Sequence, residues 1–123
     1  MSRILAAALL LAGTLPLVAV AQETEIAGGT GAVLRGLDKV NASVTDLDLA
    51  AGASTTFGRL TVRLEECRYP AANPAGEAYA FLVISDTASG KELFSGWMLA
   101  SSPALNALEH PRYDIWVLRC KTD

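Results

Sequence analysis

The sequence predicts an all-β domain: a small antiparallel β-sandwich or barrel of about seven strands, with one short helix before the last strand. Three observations predict it. Apolar and polar residues alternate over short stretches, most clearly Leu60, Val62 and Leu64 against Thr61, Arg63 and Glu65. Clusters of Gly, Pro, Asn and Asp interrupt the chain about every ten residues. Helical spacing is confined to "SPALNALEH", Ser102 to His110.

The amino-terminal stretch "MSRILAAALLLAGTLPLVAVAQETE" has the form of a secretory signal peptide. Arg3 opens it, an apolar run from Ile4 to Val18 follows, and Ala19-Val20-Ala21 supplies small residues for cleavage after Ala21. Gly13, Thr14 and Pro16 interrupt a run shorter than the roughly 20 apolar residues of a spanning helix, so no membrane span is expected after cleavage. This assigns residues 1–21 to the signal, 22–31 to a flexible Gly-rich leader and 32–123 to a single β domain, exported to the periplasm. The formal net charge of −3 becomes about −4 once Arg3 is removed, and no basic cluster remains. Nucleic acid is therefore not an expected partner.

The chain has two cysteines, Cys67 and Cys120. In an oxidising compartment they are expected to pair. Closing a loop of about 53 residues would stabilise the domain by roughly 4 kcal/mol in the chain-entropy model. No C-x-x-C spacing and a single histidine argue against a metal site.

In chain order, "AVLRGLDKV" and "NASVTDLDLAAG" each alternate and read as short strands. "STTFGRLTVRLEECRY" carries the strongest period of two. Whether Cys67 shares the face of Leu64 depends on a bulge near Glu65-Glu66, which the sequence leaves open. "PAANPAGE" bars regular structure. "AYAFLVIS" is a continuous apolar run, expected as a central strand covered on both faces. "KELFSGWML" returns as its hairpin partner after "DTASG", with Gly96 as a bulge or close-contact point. "RYDIWVLRC" has apolar bulk on both faces and reads as a second interior strand. Before it, Ser102-Pro103 forms a helix start and Pro111 ends the helix at His110.

The suggestive polar residues near the carboxyl end fail the requirements of catalysis. A hydrolase would use Ser101 or Ser102 as nucleophile, His110 as base and Asp114 to orient it. Across a helix the serine and histidine would stand roughly 12 Å apart, beyond a general base's reach. Glu109, His110 and Asp114 are too few and too mixed for a metal set. Asp46 and Asp48 lack the glycine turn and distal glutamate of a calcium loop. Glu65 and Glu66, adjacent on a strand, point to opposite faces and cannot flank one glycosidic bond. "AGGTG" follows no strand and opens no helix, so it is no phosphate loop. No cofactor is expected.

The stretches "LRGLDKV", "FGRLTVRLEECRYP" and above all "FSGWMLASSPALNALEHPRYDIWVLRC" resemble the exported bacterial family catalogued as domain of unknown function 2155, over roughly Val33 to Lys121. The chain departs from that pattern at "PAANPAGEAYA", where the family carries a richer proline and glutamate run. The resemblance implies a small envelope protein of Gram-negative bacteria, with family cysteines at Cys67 and Cys120 and no catalytic residues to transfer. Family genes lying near one for an accessory subunit of respiratory NADH dehydrogenase further imply an envelope complex as partner.

The expected function is thus a non-enzymatic binding or assembly factor for an envelope component, possible partners including a respiratory complex. Its candidate interaction surface comprises Trp97, Ser101, Ser102, Asn106, His110, Arg112 and Tyr113. The alternative is an envelope hydrolase or carbohydrate-binding module built on Trp97 and Tyr113.

Overall fold

A computed structural model describes residues 8–17 and 25–123. The expected cleavage residues Ala19 to Ala21 and the leader's first residues, Gln22 to Thr24, lie outside the described residues. Residues 8–17 form neither helix nor strand. Among the described residues no helix is long and apolar enough to cross a membrane.

Eight strands form two antiparallel sheets: β1 Ile26–Gly28, β2 Gly31–Asp38, β3 Ser43–Ala50, β4 Ser54–Phe57, β5 Leu60–Pro70, β6 Tyr79–Asp86, β7 Glu92–Leu99 and β8 Tyr113–Lys121. The larger sheet runs β1-β5-β6-β7, with β4 also on β5; the smaller runs β3-β2-β8. They pack as a sandwich and do not close into a barrel. β1 lies within the stretch expected as a leader, where Ile26 pairs with Pro70.

The alternating pattern places the core between the sheets. Leu60, Val62, Leu64, Leu82 and Ile84 from the larger sheet meet Leu34, Ile115 and Val117 from the smaller, and all eight are buried. Burying each such side chain contributes about 1.5–3 kcal/mol, which makes this interdigitated layer the main source of stability. Register slips between Leu64 and Glu66 against β6. That bulge restores the inward face for Cys67, which is 1% exposed and bonded to Cys120. The disulfide ties β5 to β8 and hence one sheet to the other.

Beside it the chain crosses between the sheets. The Gly29 amide donates to the Cys67 carbonyl (2.7 Å) and the Thr30 amide to that of Lys121 (2.8 Å). A Cβ on Gly29 would stand 2.7 Å from the Lys121 oxygen and 3.1 Å from the Cys120 Cβ, so only glycine passes there. This close approach is the role of "AGGTG".

Three expectations need correction. The helix over Ser102 to His110 does not form; the segment is a run of turns and irregular chain. It is too short between two prolines to offset helix nucleation, and tertiary contacts claim it instead: Leu108 is buried, and Asn106 Nδ2 donates to the Trp97 carbonyl on the β7 edge (2.8 Å). β6 is central in its sheet but covered on one face only, since Tyr79, Phe81 and Val83 on the other are half-buried. β8 is an edge strand. At Gly96 a Cβ would come within 3.0 Å of Asn106 Nδ2, so it is the close-contact point; the bulge of this hairpin lies nearer the turn, between Ile84 and Ser85.

Candidate interaction face

Because strand residues alternate between faces, every inward residue of β5, β6 and β7 sends its neighbours outward. The register aligns those outward residues in rows: Arg68, Tyr79 and Leu99; then Glu66, Phe81 and Trp97; then Arg63, Val83 and Ser95. Aromatic bulk is thereby collected on a sheet face that none of the described residues covers. The Phe81 ring meets Trp97 edge-on, with centroids 5.3 Å apart at 83°. The Arg68 guanidinium lies 5.2 Å from the Trp97 ring centroid and holds Glu66 at 2.9 Å. An open groove of about 420 Å³ is lined by Ile26, Arg68, Tyr79 and Trp97. On the other side of Trp97 a second open hollow, also of about 420 Å³, is lined by Glu65, Glu66 and Phe81.

The sequence-derived candidates do not assemble into one surface. Trp97 stands in the groove. Ser101 sits at the end of β7, where its amide donates to Glu77 Oε1 (3.0 Å) and its hydroxyl to Glu77 Oε2. Burial pushes the Glu77 carboxyl up, but the hydrogen bonds from Ser101 and the Ala78 amide outweigh it and hold the group below its ordinary range. The Ser102 amide reaches the Leu99 carbonyl (3.3 Å), and Asn106 secures the Trp97 carbonyl. These residues fasten the loop to the β7 edge, blunting it against further strand pairing.

His110 and Arg112 belong to a separate cluster. His110 Nδ1 accepts from the backbone amides of Arg112 (3.0 Å) and Tyr113 (3.1 Å). Arg112 forks onto Asp38, with Nη2 at 2.9 Å from Oδ2, and this bonding holds the Asp38 carboxyl below its ordinary range. Tyr113 must be withdrawn from the surface: it is 2% exposed, packs edge-on against Phe57 at 5.6 Å, and accepts from the Arg59 amide (3.2 Å) through its hydroxyl. It is a core residue.

Chemically, neither serine is hydrogen-bonded to the histidine. Ser101 faces a carboxylate and His110 Nδ1 faces two amide donors, while Asp114 Oδ1 accepts from the Ile115 amide next to it (3.0 Å). Asp46 and Asp48 pair with Arg35 and Lys121 on the outer face of the smaller sheet. Among the described residues no group of three or more His, Cys, Asp or Glu could hold a metal ion.

A family model described as an uncharacterized protein conserved in bacteria (DUF2155) matches residues 32–120. The chain belongs to the DUF2155 family. The match runs from β2 to Cys120, so it takes in both sheets and both cysteines. A similar protein is an uncharacterized protein of Rickettsia prowazekii, 30% identical over an alignment of 87 residues that covers 68% of this chain and 56% of the relative. The chain thus spans little more than half the length of that relative. No solved structure matches the DUF2155 chain.

Tyr79, Phe81, Arg68 and Ile26 were absent from the sequence-derived site. A signal was present, because an apolar run of strand length contains two faces and only one can be shown to meet a core. What the sequence lacked was the number of layers, which decides whether the second face is covered.

Proposed function

We propose that this chain is a non-enzymatic binding or assembly domain of the bacterial envelope, exported with cleavage after Ala21, that engages a protein partner through the outer face of the β1-β5-β6-β7 sheet. The observation that carries this reading is the uncovered aromatic groove at Trp97, walled by Ile26 and Tyr79 and braced by Phe81 and Arg68. Aromatic side chains held in place by neighbours, with arginine beside them, are the composition of energetically dominant interface residues. The disulfide between Cys67 and Cys120 supports an oxidising compartment. The envelope component engaged, a respiratory complex among the candidates, is part of the proposal.

A photo-crosslinking side chain placed at position 97 in exporting cells tests the reading, with position 116 on the other sheet as control. We expect a discrete, mass-identified adduct from position 97 and none from 116. Equal labelling from both positions, or from neither, overturns it.

A further inference from the structure

The bulge on β5 that turns Cys67 inward also turns two carboxylates outward together. Leu64 pairs with Leu82 and Glu66 with Phe81, so Glu65 is the extra residue. Strict alternation would send one of the two glutamates into the core; instead their side chains are 41% and 45% exposed on the outer face. With Phe81 and Trp97 they line the hollow beside Trp97. The two rings stand at 83° to each other, so its aromatic sides are set nearly at a right angle.

Each carboxylate keeps one oxygen open. Glu65 Oε1 accepts from Arg63 at 2.6 Å and Glu66 Oε1 meets Arg68 at 2.9 Å, while neither Oε2 has a partner among the described residues. Neither Arg63 nor Arg68 lines the hollow. At a distance the four charges cancel, so whatever selection the hollow exerts acts at contact. What it presents there is carboxylate oxygens and aromatic rings, with no cation.

Both kinds of group favour a positive charge. An aromatic ring attracts a cation over its face, and a carboxylate oxygen accepts a charge-assisted hydrogen bond from an ammonium or guanidinium. The fold itself contains one instance, because the Arg68 guanidinium lies 5.2 Å from the Trp97 ring centroid while it holds Glu66. The hollow assembles the same partners without a cation of its own. The adjoining apolar groove extends the match: Arg68 and Tyr79, which line it, stand two residues along their strands from Glu66 and Phe81. Two residues of strand span about 6.8 Å, the spacing of successive same-side residues in any extended chain.

We infer that the hollow receives a lysine or arginine side chain of a partner protein, carried on an extended segment whose alternate residue is apolar and enters the groove. The inference rests on the proposal that this face is the binding surface and adds the chemistry of what docks there.

The test uses the protein purified from the periplasm of exporting cells and labelled with nitrogen-15. It is titrated with an acetylated, amidated heptapeptide of alternating alanine and leucine whose central leucine is replaced by arginine. The same peptide with citrulline, which keeps the shape and lacks the charge, the same peptide with glutamate, and chitotetraose are separate probes. The arginine peptide is expected to shift the Trp97 indole N–H resonance saturably and to leave that of Trp116 in place. It should bind about fivefold more tightly than the citrulline peptide. Combining Glu65→Gln with Glu66→Gln should abolish that preference; if the pair does not fold, Glu65→Gln alone, which leaves Glu66 and Arg68 in place, should still reduce it.

A Trp97 resonance unmoved by the arginine peptide overturns the inference. So does equal or tighter binding of the citrulline or glutamate peptide, or a preference that survives the glutamine substitutions. A response to chitotetraose alone, or a shift that follows protein concentration without any ligand, the mark of a second copy, overturns it too. In each of these cases an adduct from position 97 in cells would leave the binding-face proposal standing, whereas its absence would remove both.

Discussion

Cys67 on β5 and Cys120 on β8 covalently join the two sheets at the crossing where Gly29 and Thr30 carry the chain from one to the other. A sequence separation of 53 residues makes this a long closed loop. Replacing both cysteines with serine should destabilise the domain by about 4 kcal/mol, measured by urea unfolding against the oxidised protein. The amides of Gly29 and Thr30 should lose exchange protection first, since their acceptors belong to Cys67 and Lys121.

Acid should loosen the two ends of the sandwich before its middle. The Arg112 fork lowers the folded-state pKa of Asp38, so its stabilisation is complete above the unfolded value of about 3.9 and disappears as pH falls through the lower folded value. Glu77, lowered on balance by its bonds from Ser101 and Ala78, behaves in the same direction. Melting temperature should hold between neutrality and about pH 5 and decline below about pH 4. Asp38→Asn should melt lower at neutral pH with a flatter acid limb. The exchange protection of the Ser101 amide, relative to its intrinsic rate at each pH, should fall over the same acid range.

Tyr113 and Trp97 should separate core from surface. Tyr113→Phe leaves the Arg59 amide without its acceptor and should cost about 1 kcal/mol. Tyr113→Ala opens a cavity beside Phe57 and should cost about 3–5 kcal/mol, read by thermal or urea unfolding.

Trp97→Ala removes a ring on the outer sheet face that Phe81 and Arg68 brace, and should cost no more than about 1.5 kcal/mol. Its melting curve should stay close to that of the parent. A collapse of the fold would place Trp97 among the structural residues instead.

Asn106→Ala withdraws the side chain that occupies the Trp97 carbonyl on the β7 edge. The segment from Ser101 to His110 should then show faster amide exchange, with global stability reduced by about 1 kcal/mol. An unopened edge also guards against strand addition, so the variant should self-associate more at high concentration, measured by sedimentation.

Much of the fold was legible because period-two alternation is a local property. Leu60, Val62 and Leu64 show their buried face without reference to any partner. The helix over Ser102 to His110 failed for the complementary reason. Its start and stop signals are local, but Leu108 and Asn106 are claimed by the core and by the β7 edge, and those contacts exist only after the sheets pack. Trp97 was recognised as a candidate. Its neighbours Tyr79, Phe81 and Arg68 come from two other strands, and only register places them in adjacent rows.

The amino-acid sequence alone determined the all-β class, the inward residues of the most regular strand, the pairing expected of Cys67 and Cys120 and the family to which the chain belongs. These follow from side-chain chemistry and short-range spacing. The tertiary structure decided that Tyr113 is core, that the carboxyl-terminal loop is unwound, and that one face of β6 stays uncovered beside Trp97. Each of those depends on how many layers pack and which strands become neighbours, a balance of long-range burial that no local pattern encodes.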